Sequence, residues 1–347
     1  MLTSKEIKRQ IALGNITIEN LAPNALDKPN SCDLRIGNTM YVFDYDIIDS
    51  RKSHDYLNEV LFDKPKNLRR IHIPETGVLL QPHKVYLAKT IERVKTHGFT
   101  PVMNGKNSLS LLGVSVELTS GYKTDDFNDY LFLSIVATKP TIIYPDERIA
   151  NLTFFPSLKE SSSVATISNG MTRGIYKSGM LSGSEIIKRM NQENPDIVIT
   201  PQDKILVNPN SVNLTLNKTI GAYSEPVLDM KGENPIEYID IPDDGLLLYP
   251  DEIYLGLTNE WTETNNLVPM MSGRSSLGRN GLHVNCSAGM GSIGYKGNWH
   301  MAIRTVKPTS VVKDMKCCQI YYLTTEEHQE TYTSKEETES PKVYIKK

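Results

Sequence analysis

The chain has 347 residues, with 38 Lys+Arg against 41 Asp+Glu for a net charge of −3, and 39% of it is hydrophobic. That balance supplies no basic field for coating nucleic acid or an anionic membrane surface, and no apolar run approaches the ~20 residues that cross a bilayer. The opening MLTSKEIKRQ is too polar for a secretory signal, which points to a cytoplasmic protein; Cys32, Cys286, Cys317 and Cys318 lack metal-type spacing and read as reduced thiols, so no zinc is expected.

In chain order, the first element is a short amphipathic helix. SKEIKRQIALG (Ser4–Gly14) puts Ile7, Ile11 and Leu13 near one face, with Ser4 as cap and Gly14 as stop. Short strands rich in β-branched and aromatic residues come next: VYLAKTIERV (Val85–Val94), YLFLSIVAT (Tyr130–Thr138) and ERIANLTFF (Glu147–Phe155). A stretch rich in Ser, Gly and Thr then reads as a linker or an arm. A second helix is expected at Ser184–Met190. After it come strands IYLGLTNEW (Ile253–Trp261), NWHMAIRTV (Asn298–Val306) and KCCQIYYLT (Lys316–Thr324). The charged end, Glu326–Lys347, reads as a mobile tail.

The second half repeats the first. Gly77–Phe154 falls on Gly245–Tyr322 without a gap, 168 positions on, so that GVLLQPHKVYLAKTIE meets GLLLYPDEIYLGLTNE and NGKNSLSLLGVSV meets SGRSSLGRNGLHV. Earlier blocks repeat at a nearly equal offset: MLTSKEIKRQ answers MLSGSEIIKRM, and PNSCDLRI answers PNSVNLTL. Ordered blocks at one offset indicate an internal duplication. The expected organisation is a first repeat over 1–160, a linker or arm over 161–179, a second repeat over 180–325 and the tail over 326–347. Evenly spaced short strands with turn signals argue for a barrel or jelly-roll-like β fold in each repeat.

The order MLSxxEI, PNSVxL, Gly-Leu-Leu-Leu-x-Pro, T-x-E, GRSSLGRxGL, G-Y-x-G-x-W and C-Q-I-Y-Y resembles dCTP deaminases and the related trimeric dUTPases, over both halves. The resemblance implies a mainly β chain of two tandem dUTPase-like distorted barrels, each preceded by a short N-terminal helix. It implies nucleotide sites between barrels and a homo-oligomer. The two repeats are expected either to trimerise through like barrels, the favoured form, or to pack against each other within one chain. It also implies a nucleotide ligand held by Gly273, Arg274, Ser275, Ser276, Arg279, Tyr295 and Gln319, with Mg2+ accompanying a triphosphate and with Ser275 and Arg279 at the catalytic centre. The chemistry suits the motif: glycine admits a ligand close to the backbone, and arginine offers a planar fork of donors to phosphate oxygens.

The same alignment shows what is missing. The deaminases place a general-base glutamate where this chain has Ala302, and the dUTPases place a water-orienting aspartate where it has Ser292. General-base catalysis is typically worth ~10²–10⁴ in rate. The S-V-D-L acid is Asn213 here. The first repeat keeps that acid as Asp33 but has Lys106, Asn107 and Ser108 in its loop, Leu111 opposite Arg279, and Thr124 and Ser134 at the acid positions. The tail, with Glu336 and Glu337, is a poor cover for a triphosphate. Three readings stay open: a nucleotide-binding protein with reduced catalysis; an active dCTP deaminase or dUTP diphosphatase using other acids, such as Asp33 or Asp125; and an interaction module on the same scaffold.

Overall fold

A computed structural model describes residues 1–43, 53–116, 123–124, 126–156, 179–202, 205–284 and 288–325, with the side chains of Ser53, His54 and Leu57 left aside. The expected linker, the tail, Asp125 and Cys286 therefore lie outside the described residues, except for Gly179 at the linker's end.

The two opening helices span Ser4–Ala12 and Gly183–Met190. Their caps are Thr3 and Ser182, whose hydroxyls accept the N–H of Glu6 at 3.1 Å and of Glu185 at 3.3 Å. The cap expected at Ser4 is thus corrected by one residue: Ser4 is the first helical residue, and its hydroxyl donates to the Lys28 carbonyl instead. Ile7 is buried as expected. Leu13 is not, since the helix ends at Ala12 and Leu13 turns to solvent at 58% exposure.

The remainder is mainly β and forms two nearly closed, barrel-like sheets with one topology. In the first repeat the strand order is Phe99–Gly105, Arg148–Pro156, Cys32–Phe43, Val85–Thr96, Asn128–Ala137, Val114–Val116. In the second it is Leu267–Gly273, Lys316–Thr324, Val212–Tyr223, Tyr254–Thr264, Lys296–Thr305, Leu282–Val284. Register agrees residue for residue. Tyr41 faces Leu87 as Gly221 faces Leu255, and Leu87 faces Ser134 as Leu255 faces Ala302. Alternate residues of these strands turn inward. Leu34, Ile36, Met40, Leu133 and Ile135 fill one core, and Leu214, Leu216, Ile220, Met301 and Ile303 fill the other. Each such side chain contributes about 1.5–3 kcal/mol on burial. Cys32, Cys317 and Cys318 are buried free thiols, and burial, more than the nearby Glu92 and Asp33, pushes the Cys32 pKa far up.

The two repeats pack against each other within the chain. A short strand of the second, Leu228–Asp229, pairs in parallel with Thr141–Ile143 of the first. Leu228 and Ile253 bury in the first repeat's core, and Met1 packs on Val268 and Ile293 of the second. Around this seam Lys139 meets Glu252 at 2.8 Å, Tyr144 donates to Asp229 at 2.7 Å, and Lys231 meets Glu147 at 2.6 Å.

The repeats part ways directly after their first long strand. Beyond Cys32–Phe43 the first carries a helix, Ser53–Leu61, before the strand Leu68–His72. Beyond Val212–Tyr223 the second carries Leu228–Asp229 before Ile236–Asp240.

Candidate functional site

The GRSSLGR segment begins at the end of the strand Leu267–Gly273 and continues as the short helix Ser275–Arg279. A Cβ added at Gly273 would meet only ordinary contact with Val284, at 3.5 Å. Packing within the barrel therefore does not demand glycine there. Arg274 enters the helix with extended backbone (φ −91, ψ 139), and its guanidinium donates to the Lys316 carbonyl at 3.3 Å. Arg279 donates to the Ser275 hydroxyl at 3.3 Å, one helical turn back. None of the five helical residues is buried.

Gln319 lies beside this loop. It faces Ser272 on one side and Asn213 on the other, and its amide oxygen accepts from Ser211 at 3.1 Å. Arg274, Ser211, Ser272, Asn213 and Gln319 thus form a corner with a cation, hydroxyls and amides but no carboxylate. Such a corner fits an anionic ligand, whereas it lacks the acidic oxygens that hold Mg2+. Tyr295 stands apart in the turn before Lys296–Thr305. Its hydroxyl donates to the Asn298 carbonyl at 2.7 Å, and its ring stacks on Trp299 at 4.4 Å. Ser292 is in the same turn, where its carbonyl accepts from the Tyr295 N–H at 3.2 Å.

Ala302 is in a different setting. On its strand Met301 and Ile303 turn into the barrel, while Ala302 and Arg304 turn toward the first repeat. There they meet Ser110, Gly113, Ser115 and Thr138 around a gap of about 10 Å³, barely the volume that admits one water. None of the residues around that gap belongs to Ser275–Arg279. The loop that confronts the general-base position is the first repeat's, not the intact one. Gly113 makes this approach feasible: its φ is +75, and a Cβ would collide with Ile253 of the second repeat.

The first repeat's loop repeats the same backbone. Lys106 enters the helix Asn107–Leu111 at φ −84, ψ 141. Its side chain, however, turns inward to Asp33 at 3.1 Å, where Arg148 at 3.1 Å and Lys28 at 3.5 Å also converge. Burial, and then the neighbouring Lys28, push Lys106 down to about 8. Asp33 is therefore engaged by three cations. Leu109, Ser110 and Leu111 are buried. Ser108, Leu111 and Leu112 wall a cavity of about 380 Å³ whose other side includes Tyr223, Leu255 and His300 of the second repeat. Alignment of a single repeat places loop and acid positions in one site. It carries no signal of which repeat's loop faces which repeat's strand.

Comparison with known proteins agrees with this architecture. A family model described as dCTP deaminase-like matches residues 1–157 and 180–325. A dCTP deaminase, dUMP-forming, of Leptospira biflexa serovar Patoc is 48% identical over 155 residues, covering 45% of this chain and 87% of that protein. One of Cytophaga hutchinsonii is 44% identical over 155 residues, covering 45% and 88%. Across both repeats, the crystal structure of 2'-deoxycytidine 5'-triphosphate deaminase from Agrobacterium tumefaciens superposes with a TM-score of 0.73 at 16% identity, over 94% of this chain and 95% of that one, so the two-barrel fold is shared. By motif, topology and these matches, the chain belongs to the dCTP deaminase-like family, as a tandem pair of its barrels.

Proposed function

We propose that the protein binds a pyrimidine deoxynucleotide, or a nucleotide related to one, on the second repeat's GRSSLGR loop, with little or no turnover. One observation carries this reading. The loop's polar groups are intact and exposed, while the general-base position is Ala302, sealed against the other repeat. In this reading Arg274 and Gln319 take phosphate oxygens, Ser275 and Ser276 supply hydroxyls, Arg279 holds Ser275, and Gly273 lets the ligand approach the backbone. Tyr295 contributes its ring rather than its hydroxyl, which is already engaged. Mg2+ arrives with a triphosphate and is held by its oxygens.

Thermal denaturation with dCTP, dUTP and their mono- and diphosphates tests the binding. Ligand at 100 times its Kd stabilises by about 2.7 kcal/mol, and Arg274→Ala is expected to abolish that shift while leaving the unliganded protein unchanged. A nucleotide shift that survives Arg274→Ala would move the site elsewhere; no shift with any nucleotide would favour an interaction module.

A second reading is an active deaminase or diphosphatase, favoured by relatives of 44–48% identity named dCTP deaminase, dUMP-forming. It requires water to displace ammonia from dCTP or pyrophosphate from dUTP, with a carboxylate other than those of the family positions. Ammonia and pyrophosphate release at high protein concentration decides between the two; sustained turnover would overturn the first.

A further inference from the structure

The cavity at the seam holds about 380 Å³, within the range of about 300–1,000 Å³ that small-ligand pockets occupy. Leu111 and Leu112 of the first repeat close one side of it, and Ile236, Leu255 and Leu257 of the second form the other. The stretch between Leu228–Asp229 and Ile236–Asp240 adds Met230, Glu233 and Asn234. Register places Leu87 of the first repeat where the second has Leu255. On that equivalent face Tyr56 and Val60 of the helix Ser53–Leu61 pack against Tyr41 and Leu87. The duplicated barrel therefore does not by itself impose a cavity here.

The family resemblance expects nucleotides between barrels, yet this space is ill suited to a phosphate. Among the described residues, no lysine or arginine lines it. Leu111 stands where the second repeat's loop has Arg279, and Lys106 is turned away to Asp33. Glu233 is the lining carboxylate; it is exposed and has no side-chain partner among the described residues. An anion beside it would meet that charge uncompensated. Other polar groups of the wall are already engaged. Tyr223 donates to the Leu111 carbonyl at 3.1 Å, and Asn217 donates to Asn259 at 3.1 Å. Asn234 donates to the Asp229 and Gly232 carbonyls and accepts the Asp229 N–H. Burial holds His300 below the ordinary histidine range, so it is uncharged at neutral pH. What the cavity offers a ligand is thus an apolar body, the rings of Tyr223 and Tyr238, and one free carboxylate.

We propose that this cavity is a binding site for a small aromatic ring carrying a protonated amine, with the ring between Leu111, Leu112, Ile236 and Leu255 and the ammonium group on Glu233. Removing the ring from water supplies most of the affinity. Glu233 supplies the preference for positive charge, and the tyrosine rings add to it, because an aromatic face attracts a cation. Such a ligand touches both repeats, so its binding stabilises their packing. The proposal does not depend on what the GRSSLGR loop binds, since none of Gly273–Arg279 lines the cavity.

Isothermal titration calorimetry of the full chain without nucleotide provides the test, with tryptamine, indole and indole-3-acetate as probes that share a ring and differ in charge. Tryptamine should bind saturably and more tightly than indole, and indole-3-acetate should bind weakest. Glu233→Gln should weaken tryptamine by about two- to fivefold, the worth of an exposed ion pair, and leave indole unchanged. Ser108→Trp, an exposed change that fills the cavity from the first repeat, should remove binding of all three. If that variant lacks the native circular-dichroism spectrum, Leu257→Phe takes its place, with weakened binding expected. Arg274→Ala should bind tryptamine as the wild type does, which separates this site from the nucleotide loop. Absence of saturable tryptamine binding would overturn the proposal. So would indole-3-acetate binding as tightly as tryptamine, tryptamine binding that ignores Glu233 and the filling variants, or its loss in Arg274→Ala.

Discussion

The helices Asn107–Leu111 and Ser275–Arg279 are the same element twice, and they have opposite fates. Their entering residues have nearly the same backbone angles, and each packs on its own following strand. The first is buried and contributes leucines to the seam between repeats; the second is exposed and contributes serines and an arginine. Lys106 is drawn inward to Asp33, whereas Arg274 reaches only a backbone carbonyl. One backbone is thus packed away in one copy and left with polar side chains exposed in the other.

The largest effect should come from forcing the family's acid into the seam. Ala302→Glu forces a longer side chain and a carboxylate into a gap of about 10 Å³ where Arg304 is the one lining cation among the described residues, and overpacking with desolvation should together cost on the order of 3–5 kcal/mol in urea denaturation. Adding Leu111→Arg should recover part of that loss. Additivity of the two changes would show that loop and strand do not face each other across the repeats.

Next is the comparison between loops themselves. Leu111→Ala should cost about 2–5 kcal/mol because it empties a packed position, while Arg279→Ala should stay within about 0.5 kcal/mol at its exposed one. Similar losses at both would erase the distinction.

A smaller effect is expected at Asp33. Asp33→Asn reproduces the second repeat's Asn213 but leaves Lys28, Lys106 and Arg148 without their shared counter-charge, at about 1–3 kcal/mol. A neutral outcome would mean the cations relax into water.

The smallest effect is a pH dependence. Because Lys106 is pushed down to about 8, the unfolded chain holds a proton between there and the usual lysine range that the folded chain has released. Rising pH in that window therefore favours folding at this site, and below it the contribution is constant. The stability of wild type minus that of Lys106→Met should climb from pH 8 toward 10; a flat difference would contradict the assignment.

Much of this was legible in the sequence. The repeat offset anticipated two sheets of one register, because alternation of β-branched residues fixes which face each strand buries. The GRSSLGR loop was legible because serine and arginine in that pattern serve no packing purpose. The seam was not. Burial of His300's strand neighbours reports that something covers a face, not that Leu111 from the other repeat does. Asp33 looks like a surviving acid in sequence, since Arg148 lies 115 positions away and gives no local sign of approaching it. The helix Ser53–Leu61 has no counterpart at that point of the second repeat, so the duplication gives no sign of it.

The parallel pairing of Leu228–Asp229 with Thr141–Ile143 bears on how the molecule comes apart. A segment of the second barrel completes a sheet of the first, and Leu228 sits in the first barrel's core. Neither barrel can open without stripping a strand from the other. Two hydrophobic cores should therefore melt as one cooperative unit, with a single calorimetric transition whose enthalpy belongs to the whole folded chain.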